Sequence, residues 1–586
     1  MTGYSAPLRD IAFTLDELGL LDRVSRLPGC EEVNAELAAA IVEEAGKLAR
    51  DVLAPLNATG DRQGAVVENG VVRTADGFKD AYRAFVEGGW PSLPFDANHG
   101  GQGLPWLVAS AAMETWAAAN TAWTLGPLLT MGAVELLSAH GGAAQKTAYL
   151  PKMVSGEWTG TMNLTEPQAG SDLGALKTRA VPDGDRYRIT GQKIFITYGE
   201  HDYTDNIVHM VLARTPGAPG GSRGISLFIV PKFLVNPDGS LGQRNDLRCV
   251  SLEHKLGIHA SPTCVMSYGD NDGAIGYLVG AENEGLRCMF TMMNNARMNI
   301  GLSGLAIAER AYQQALDYAR NRIQFGPIIR HPDVRRMLMA MKAQTEAMRA
   351  VAYDAAAWLD AAKRHPEAAL RETAKARIDL LTPVVKAWCT DLGVEIASLG
   401  VQVHGGMGYI EETGAAQHYR DARIAPIYEG TNGIQAIDLV TRKVLRDGGD
   451  AARAYVRELR ADVATMNGAK LGPAAGLPAR VEQAADALER ATAWLCDAGA
   501  ASEASALAAA TPYLRLFGTV AGGAMMAKAA GVAAQRLGAH GDDKFYRTKL
   551  ATAAFYGDHI LPTAQALSDT VVNGADSTLA LNEEDF

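Results

Sequence analysis

Between Arg186 and Val230 the chain reads RYRIT (Arg186–Thr190), KIFIT (Lys193–Thr197), IVHMVLA (Ile207–Ala213) and ISLFIV (Ile225–Val230). The first run alternates, the second is rich in β-branched and aromatic residues, and the last two are short and apolar. PGAPGG (Pro216–Gly221) separates those last two. Short β-type runs punctuated by Gly and Pro predict an antiparallel sheet. This β block begins after Gly160 and ends near Tyr277.

Its flanks read as helix. Upstream lie the Ala-rich amphipathic stretches Asn34–Val52 and Ser110–Ala119, broken by the turn cluster DANHGGQG (Asp96–Gly103). Downstream come Leu286–Arg322, Pro332–Leu359 and Arg371–Leu399. A Gly-rich break, HGGMGYIEETG (His404–Gly414), precedes a last helix after Gly433. Asp447–Asp450 reads as a linker to a further helical block, with breaks at Asn467–Pro478 and Gly538–Asp543. The Ala and Gly residues of Gly518–Gly538 let helix backbones approach closely. The order is α, β, α, then extra α, an α+β class. At 586 residues the chain exceeds a single core, and length alone suggests roughly three to five domains.

Net charge is −11, which argues against nucleic acid as a partner, because phosphate binding needs a basic surface. The six cysteines form no CxxC pair, so neither a zinc site nor a disulfide framework is indicated. No metal site is expected. The N-terminal MTGYSAPLRD lacks a basic region followed by an apolar stretch, so no signal peptide is expected and a cytoplasmic setting fits. The uncharged run Thr115–Val134 carries Asn120, Gly126 and Pro127. It is expected to form two buried core helices, not a membrane span.

The Gly-rich pieces GGQG (Gly100–Gly103) and GGMG (Gly405–Gly408) do not follow strands in a βαβ unit, so neither is a dinucleotide fingerprint. Three other segments carry chemistry. In TMNLTEPQAGSDLGALKT (Thr161–Thr178) a strand runs into a turn whose hydroxyls and backbone N–H groups suit a heterocycle edge and a phosphate. In ARNRIQFG (Ala319–Gly326) a helix ends in arginines, which suit phosphate. In IYEGTNGIQ (Ile427–Gln435) a glutamate sits beside Gly and Thr; taken alone, it would be a helix N-terminal acid.

LTEPQAGSD, GQKIFITYG, RNRIQFG, VQVHGGMGY and IYEGTNGIQ stand together in one order. In this set the whole chain resembles the acyl-CoA dehydrogenases. The N-terminal YSAPLRDIAF and the added C-terminal block resemble a large bacterial branch that includes 3-methylmercaptopropionyl-CoA dehydrogenases. The resemblance implies the acyl-CoA dehydrogenase fold: an N-terminal α-helical domain, a central antiparallel β domain and a C-terminal four-helix bundle, here with an additional C-terminal helical domain. The expected segments are 1–35 (N-terminal extension), 36–160, 161–280, 281–447 and 450–586.

The resemblance further implies FAD as cofactor and Glu429 as the base that takes the substrate's α-proton. Leu164, Thr165 and Ser171 match positions on the isoalloxazine edge and pyrophosphate, and Phe195 and Thr197 positions against the flavin face. Arg322, Gln324 and Phe325 match a patch reaching the FAD of a neighbouring subunit. Gln402 and Gly406 match partner contacts on the adenine side and pyrophosphate. Thr431 matches another FAD contact. Arg297, near the CoA nucleotide, with Tyr428 and Gly430, would serve the acyl-CoA substrate. A shared site implies a homodimer or homotetramer, and the family's electron acceptor is electron-transfer flavoprotein. An oxygen-using oxidase and a non-catalytic assembly protein on the same fold are the alternatives. Two departures, Pro332-Asp333 after the FG turn and Gly433 two residues past Thr431, touch peripheral FAD contacts. The base position used by some relatives falls on Ala296, which cannot serve. Glu411 and Glu412 are expected to be exposed, Glu200 and Glu253 to lie at the surface, and His404 to be structural. Thr121–Met131 is expected to line the acyl-tail pocket, with Trp123 or Met131 shortening it.

Overall fold

A computed structural model describes residues 3–466, 469–541 and 543–586. Met1 and Thr2 of the N-terminal extension, and Asn467, Gly468 and Asp542 inside the two expected breaks, lie outside the described residues. The chain divides into two compact units, Ala45–Leu104 with Ala119–Asn299, and Met1–Glu44 with Pro105–Ala118 and Ile300–Phe586.

The first unit holds the β block. A small hairpin of β1 (Val66–Glu68) and β2 (Val71–Arg73) stands in a stretch read as helical. The remaining strands are β3 (Thr159–Asn163), β4 (Arg179–Asp183), β5 (Arg186–Thr197), β6 (Ile207–Ala213), β7 (Ser226–Pro231), β8 (Phe233–Val235), β9 (Leu241–Arg244), β10 (Leu247–Leu252), β11 (Thr263–Tyr268) and β12 (Ala274–Val279). The main sheet runs β10-β11-β5-β12-β7-β6-β3, with β4 on β5. Its pairings are antiparallel except one: β3 pairs β6 in parallel, Thr161 opposite His209. The purely antiparallel expectation is therefore corrected at this edge. β3 enters from helix Ala143–Val154 and meets β6 only after β4 and β5 have intervened, so no hairpin forces the two to run oppositely. A buried chain fixes the edge: the Tyr268 hydroxyl donates to Asn163 (2.8 Å), the Asn163 amide to the Thr161 hydroxyl (2.8 Å), and Thr161 meets His209 Nδ1 at 2.7 Å.

The uncharged run expected to break into two core helices does so. Helix Thr121–His140 begins at Asn120, whose side chain accepts the Trp123 N–H (3.1 Å) and donates to the Leu53 carbonyl (3.3 Å).

The second unit is helical. Its long helices, Pro332–Arg364 and Ala368–His404, pack on each other and meet the part of Gly285–Asn321 that lies beyond Asn299, Gly301 and Gly304 lying against Val385 and Cys389. Buried charge stitches them: Arg349 donates to Glu114 (2.6 Å) and Glu309 (2.8 Å), and the Tyr353 hydroxyl to Glu114 (2.6 Å). The C-terminal block contributes Asp450–Ala464, Leu477–Ala501, Ala510–His540, Lys544–His559 and Thr563–Asn573. Among the described residues, only Ala510–Ala539 is long and apolar enough to cross a membrane, and 83% of its most apolar window is buried within the protein. The close approach expected of Gly518–Gly538 is present. A Cβ on Gly518 would lie 2.3 Å from the Trp388 ring, and one on Gly522 2.8 Å from it.

The N-terminal extension packs against this last block. Glu17 accepts from Arg9 (2.5 Å), Tyr546 (2.8 Å) and Arg536 (3.1 Å), and Lys549 bridges Asp10 (2.5 Å) and Glu346 (3.0 Å). Arg9 lies over the Phe545 ring, 4.3 Å from its centre. The N-terminal segment and the C-terminal block are thus fastened to each other.

Candidate active site

In the β-containing unit, the segment after β3 is organised around one buried carboxylate. Glu166 accepts from Thr178 Oγ1 (2.6 Å), the backbone N–H groups of Lys177 (2.6 Å) and Thr178 (3.0 Å), Gln168 (2.6 Å) and Lys193 Nζ (2.9 Å). Burial pushes this carboxyl upward. The Lys193 ammonium and the hydrogen bonds outweigh that and hold it at about 2. Burial brings Lys193 down to about 8, with Glu166 opposing the fall. Lys193 also donates to the Leu164 carbonyl (2.9 Å), and Ile194 N–H donates to the Thr165 carbonyl (2.9 Å). β5 and the turn are thereby locked together, and Leu164, Thr165, Phe195 and Thr197 come to one place.

Phe195 has a left-handed backbone, φ 60°, and is 58% exposed, an apolar ring held outward from the sheet. No side-chain hydrogen bond engages the hydroxyls of Thr165, Ser171 or Thr197 among the described residues, and a Cβ on Gly170 would meet open space. An exposed aromatic ring, in a segment whose three hydroxyls carry no side-chain hydrogen bond, suits a flat heterocycle with a polar rim.

In the helical unit, Ile427–Gln435 is bent by two successive left-handed residues, Glu429 (φ 57°) and Gly430 (φ 84°). Glutamate in that region costs on the order of 1–3 kcal/mol and needs support from its surroundings. That support is visible. Lys386 Nζ donates to the Gly430 carbonyl (2.7 Å) and to Asn432 Oδ1 (2.8 Å). Asn432 Nδ2 lies within donating distance of Asp391 (2.6 Å), Thr390 Oγ1 (3.0 Å) and the Ala387 carbonyl (3.1 Å). Gln435 Nε2 lies 3.3 Å from both the Glu429 and Gly430 carbonyls. Thr431 caps helix Asn432–Asp438, accepting the Ile434 N–H (3.1 Å). Glu429 and Tyr428 are half-buried; desolvation first, then the Glu429 charge, pushes the Tyr428 phenol up.

Lys386, Asn432 and Gln435 were not among the expected site residues. The one available signal was a lysine inside the apolar run LLTPVVKAWC (Leu380–Cys389), since a buried lysine needs partners.

Arg322, Gln324 and Phe325 sit on a tight turn closed by Ile328 N–H to the Arg322 carbonyl (2.9 Å) and His331 to the Gln324 carbonyl (2.8 Å). All three are exposed, Phe325 completely. Gln402 and Gly406 are both exposed. Both flank His404, which is buried, bonds the Gly400 carbonyl (2.7 Å) and stacks on Tyr318 at 4.3 Å. Tyr318 is near the end of the helix that leads into the 322–327 turn, so the two patches share one end of this unit.

Arg297 is only 4% exposed and bonds Asn294 (3.3 Å), which leaves its expected CoA contact without support. Glu411 and Glu412 are exposed. Glu200 is not at the surface: it is 2% exposed and paired with Lys232 at 2.5 Å, because the burial of a strand end depends on neighbours the local pattern does not name. Trp123 is locked away with its N–H on the Phe78 carbonyl (3.1 Å). Met131 instead lines a narrow apolar cavity with Tyr82, Phe85, Phe95, Thr130 and Met153. A larger groove of about 750 Å³ on the sheet is edged by Arg188 and Arg248, already paired with Asp183 and Asp270.

With this geometry in hand, the relatives are informative. Residues 36–157, 161–270 and 283–445 match the N-terminal, middle and C-terminal domains of acyl-CoA dehydrogenase, and 455–582 match the domain described as acetyl-CoA dehydrogenase C-terminal like. The chain is 49% identical to the 3-methylmercaptopropionyl-CoA dehydrogenase of Ruegeria pomeroyi, over 98% of this chain and 99% of the relative. It is 34% identical to a butyryl-CoA dehydrogenase of Syntrophomonas wolfei, over 95% of each. A solved acyl-CoA dehydrogenase of Bacillus anthracis, complexed with FAD, shares the fold at a TM-score of 0.74 and 20% identity, over 95% of this chain and 90% of that one. The motifs, the helix–sheet–helix order and relatives matched along nearly their whole length agree: the chain belongs to the acyl-CoA dehydrogenase family.

Proposed function

We propose that the protein is an FAD-dependent acyl-CoA dehydrogenase that converts a short or medium acyl-CoA to its trans-2-enoyl-CoA. 3-Methylmercaptopropionyl-CoA is the first substrate to test. The observation that carries this reading is the braced left-handed turn presenting Glu429. A carboxylate so held can take the α-proton, a weak acid, when the bound substrate desolvates it and raises its basicity. The Glu429 backbone N–H is the donor the thioester carbonyl would take, stabilising the enolate-like charge as it forms. FAD, when bound, supplies the acceptor for the hydride that leaves Cβ. Phe195 would lie against its ring system, with Leu164, Thr165, Ser171, Thr197 and Thr431 around it.

Arg322, Gln324, Phe325, Gln402 and Gly406 are assigned to the FAD of a second copy of the chain; the fully exposed Phe325 supports this. The active protein would then be a homo-oligomer that passes electrons to electron-transfer flavoprotein. The narrow cavity beside Met131 supports the shorter chains, in line with the substrate named for the Ruegeria relative.

Anaerobic titration of the yellow holoenzyme with a series of acyl-CoAs, 3-methylmercaptopropionyl-CoA included, tests the reading. The flavin should bleach, with the highest kcat/KM at short or medium length. A flavin that no acyl-CoA bleaches would refute it.

A further inference from the structure

The support beneath Glu429 continues beyond the dehydrogenase domain. Lys386, Thr390 and Asp391 face the Glu429 loop from one stretch of helix Ala368–His404, and Trp388 and Glu395 on the same stretch face the C-terminal block. Arg515 on helix Ala510–His540 grips Glu395 with two bonds (2.7 and 3.0 Å). Trp388, 3% exposed, fills the groove left by Gly518 and Gly522. Helix Asn432–Asp438, which starts at the end of the Glu429 loop, also packs directly on Ala510–His540. Asp391 ties the two sides together: it accepts Asn432 at 2.6 Å. Burial raises its carboxyl, while that bond and the nearby Arg515 charge favour the ionised form.

We propose that the C-terminal helical domain positions the catalytic glutamate, with Arg515 and Trp388 fixing the 386–395 stretch and Lys386, Asp391 and Asn432 passing that constraint to Gly430 and Glu429. The proposal rests on Glu429 being the base. It makes Asn432 the central positioning residue: its side chain joins Lys386, Ala387, Thr390 and Asp391 to the loop, and its N–H donates to the Pro426 carbonyl (2.9 Å). The domain would then act on catalysis by shaping the turn, without touching substrate.

The test uses the full-length holoenzyme in five variants: Glu429→Gln, Asn432→Ala, Arg515→Ala, Arg515→Lys and Arg490→Ala. Arg490 pairs with Asp569 wholly inside the C-terminal domain, away from the brace. Stopped-flow flavin reduction by acyl-CoA, substrate Kd, FAD content and hydrogen exchange of the 427–433 amides without substrate are measured. Small misplacements of a catalytic group cost up to about 100-fold. Asn432→Ala should therefore slow reduction about 10–100-fold, and Arg515→Ala about 3–10-fold, with Kd and FAD content unchanged and exchange at 427–433 faster in both. Arg515→Lys should recover part of the rate, and Arg490→Ala should match the parent. If Glu429→Gln is inactive while Asn432→Ala and Arg515→Ala reduce at the parent rate, the positioning role is overturned and the base assignment stands. If Glu429→Gln itself reduces normally, the base assignment falls and the proposal with it. A loss that tracks FAD content, or that Arg490→Ala shares, reduces the brace to general stability and also overturns the proposal.

Discussion

The segment around Leu164 and Phe195 and the segment around Glu429 both present a proposed site residue from left-handed backbone, φ 60° and 57°. They are held in place by different means. The first is clamped by a buried ion pair, Glu166–Lys193, whose partners lie in two neighbouring motifs. The second hangs on its own carbonyls, gripped by Lys386 and Gln435, with Asn432 relaying to a distant helix. An ionic clamp is costly to break and responds to acid. A carbonyl brace sets a side chain's direction and shows itself in rate more than in folding.

The largest effect should come from the second segment. Glu429→Gln keeps size and much hydrogen bonding but cannot accept the α-proton. Flavin reduction followed by stopped flow should fall ~10²–10⁴-fold, the usual range for losing a positioned general base, with FAD and acyl-CoA still bound. Next comes the clamp. Lys193→Met leaves Glu166 buried without its cation, and breaking a buried pair from one side costs about 3–5 kcal/mol; denaturant unfolding should record it, with FAD retention falling too. If stability hardly changes, the segment is not held by the pair.

Acid should separate the two segments further. Glu166 is depressed from 4.5 to about 2. Its stabilisation is present above about pH 4.5 and is lost as pH falls toward 2, on the order of 3 kcal/mol at full loss. The acid limb of the unfolding profile should flatten in Lys193→Met; an unchanged limb would mean other carboxylates set it. Least affected should be Glu412→Gln, at an exposed site, where reduction rates within about twofold of the parent are expected.

The two segments also differ in how legible they were. Glu429 stood out because its neighbours form one contiguous motif, and Leu164, Phe195 and Arg322 came the same way. Lys386 lies more than forty residues from the loop it holds, in an apolar helical run whose periodicity reports only that a face is buried. Arg297 shows another limit: a matching position suggests a role beside CoA but says nothing of the burial that leaves the residue 4% exposed.

From the sequence alone follow the order of helix, sheet and helix, the division of the uncharged run into two helices, the family, and the identity of the proposed base. Those depend on local patterning and on motifs a few residues long. Only the tertiary structure decided that β3 runs parallel to β6, that Glu200 is buried against Lys232, that the N-terminal segment binds the C-terminal block, and that a lysine and an asparagine hold the Glu429 turn. Each is a pairing between groups far apart in the chain. Hydrophobic period fixes which face of an element is covered but not what covers it, and a buried charge persists only where folding brings it a partner.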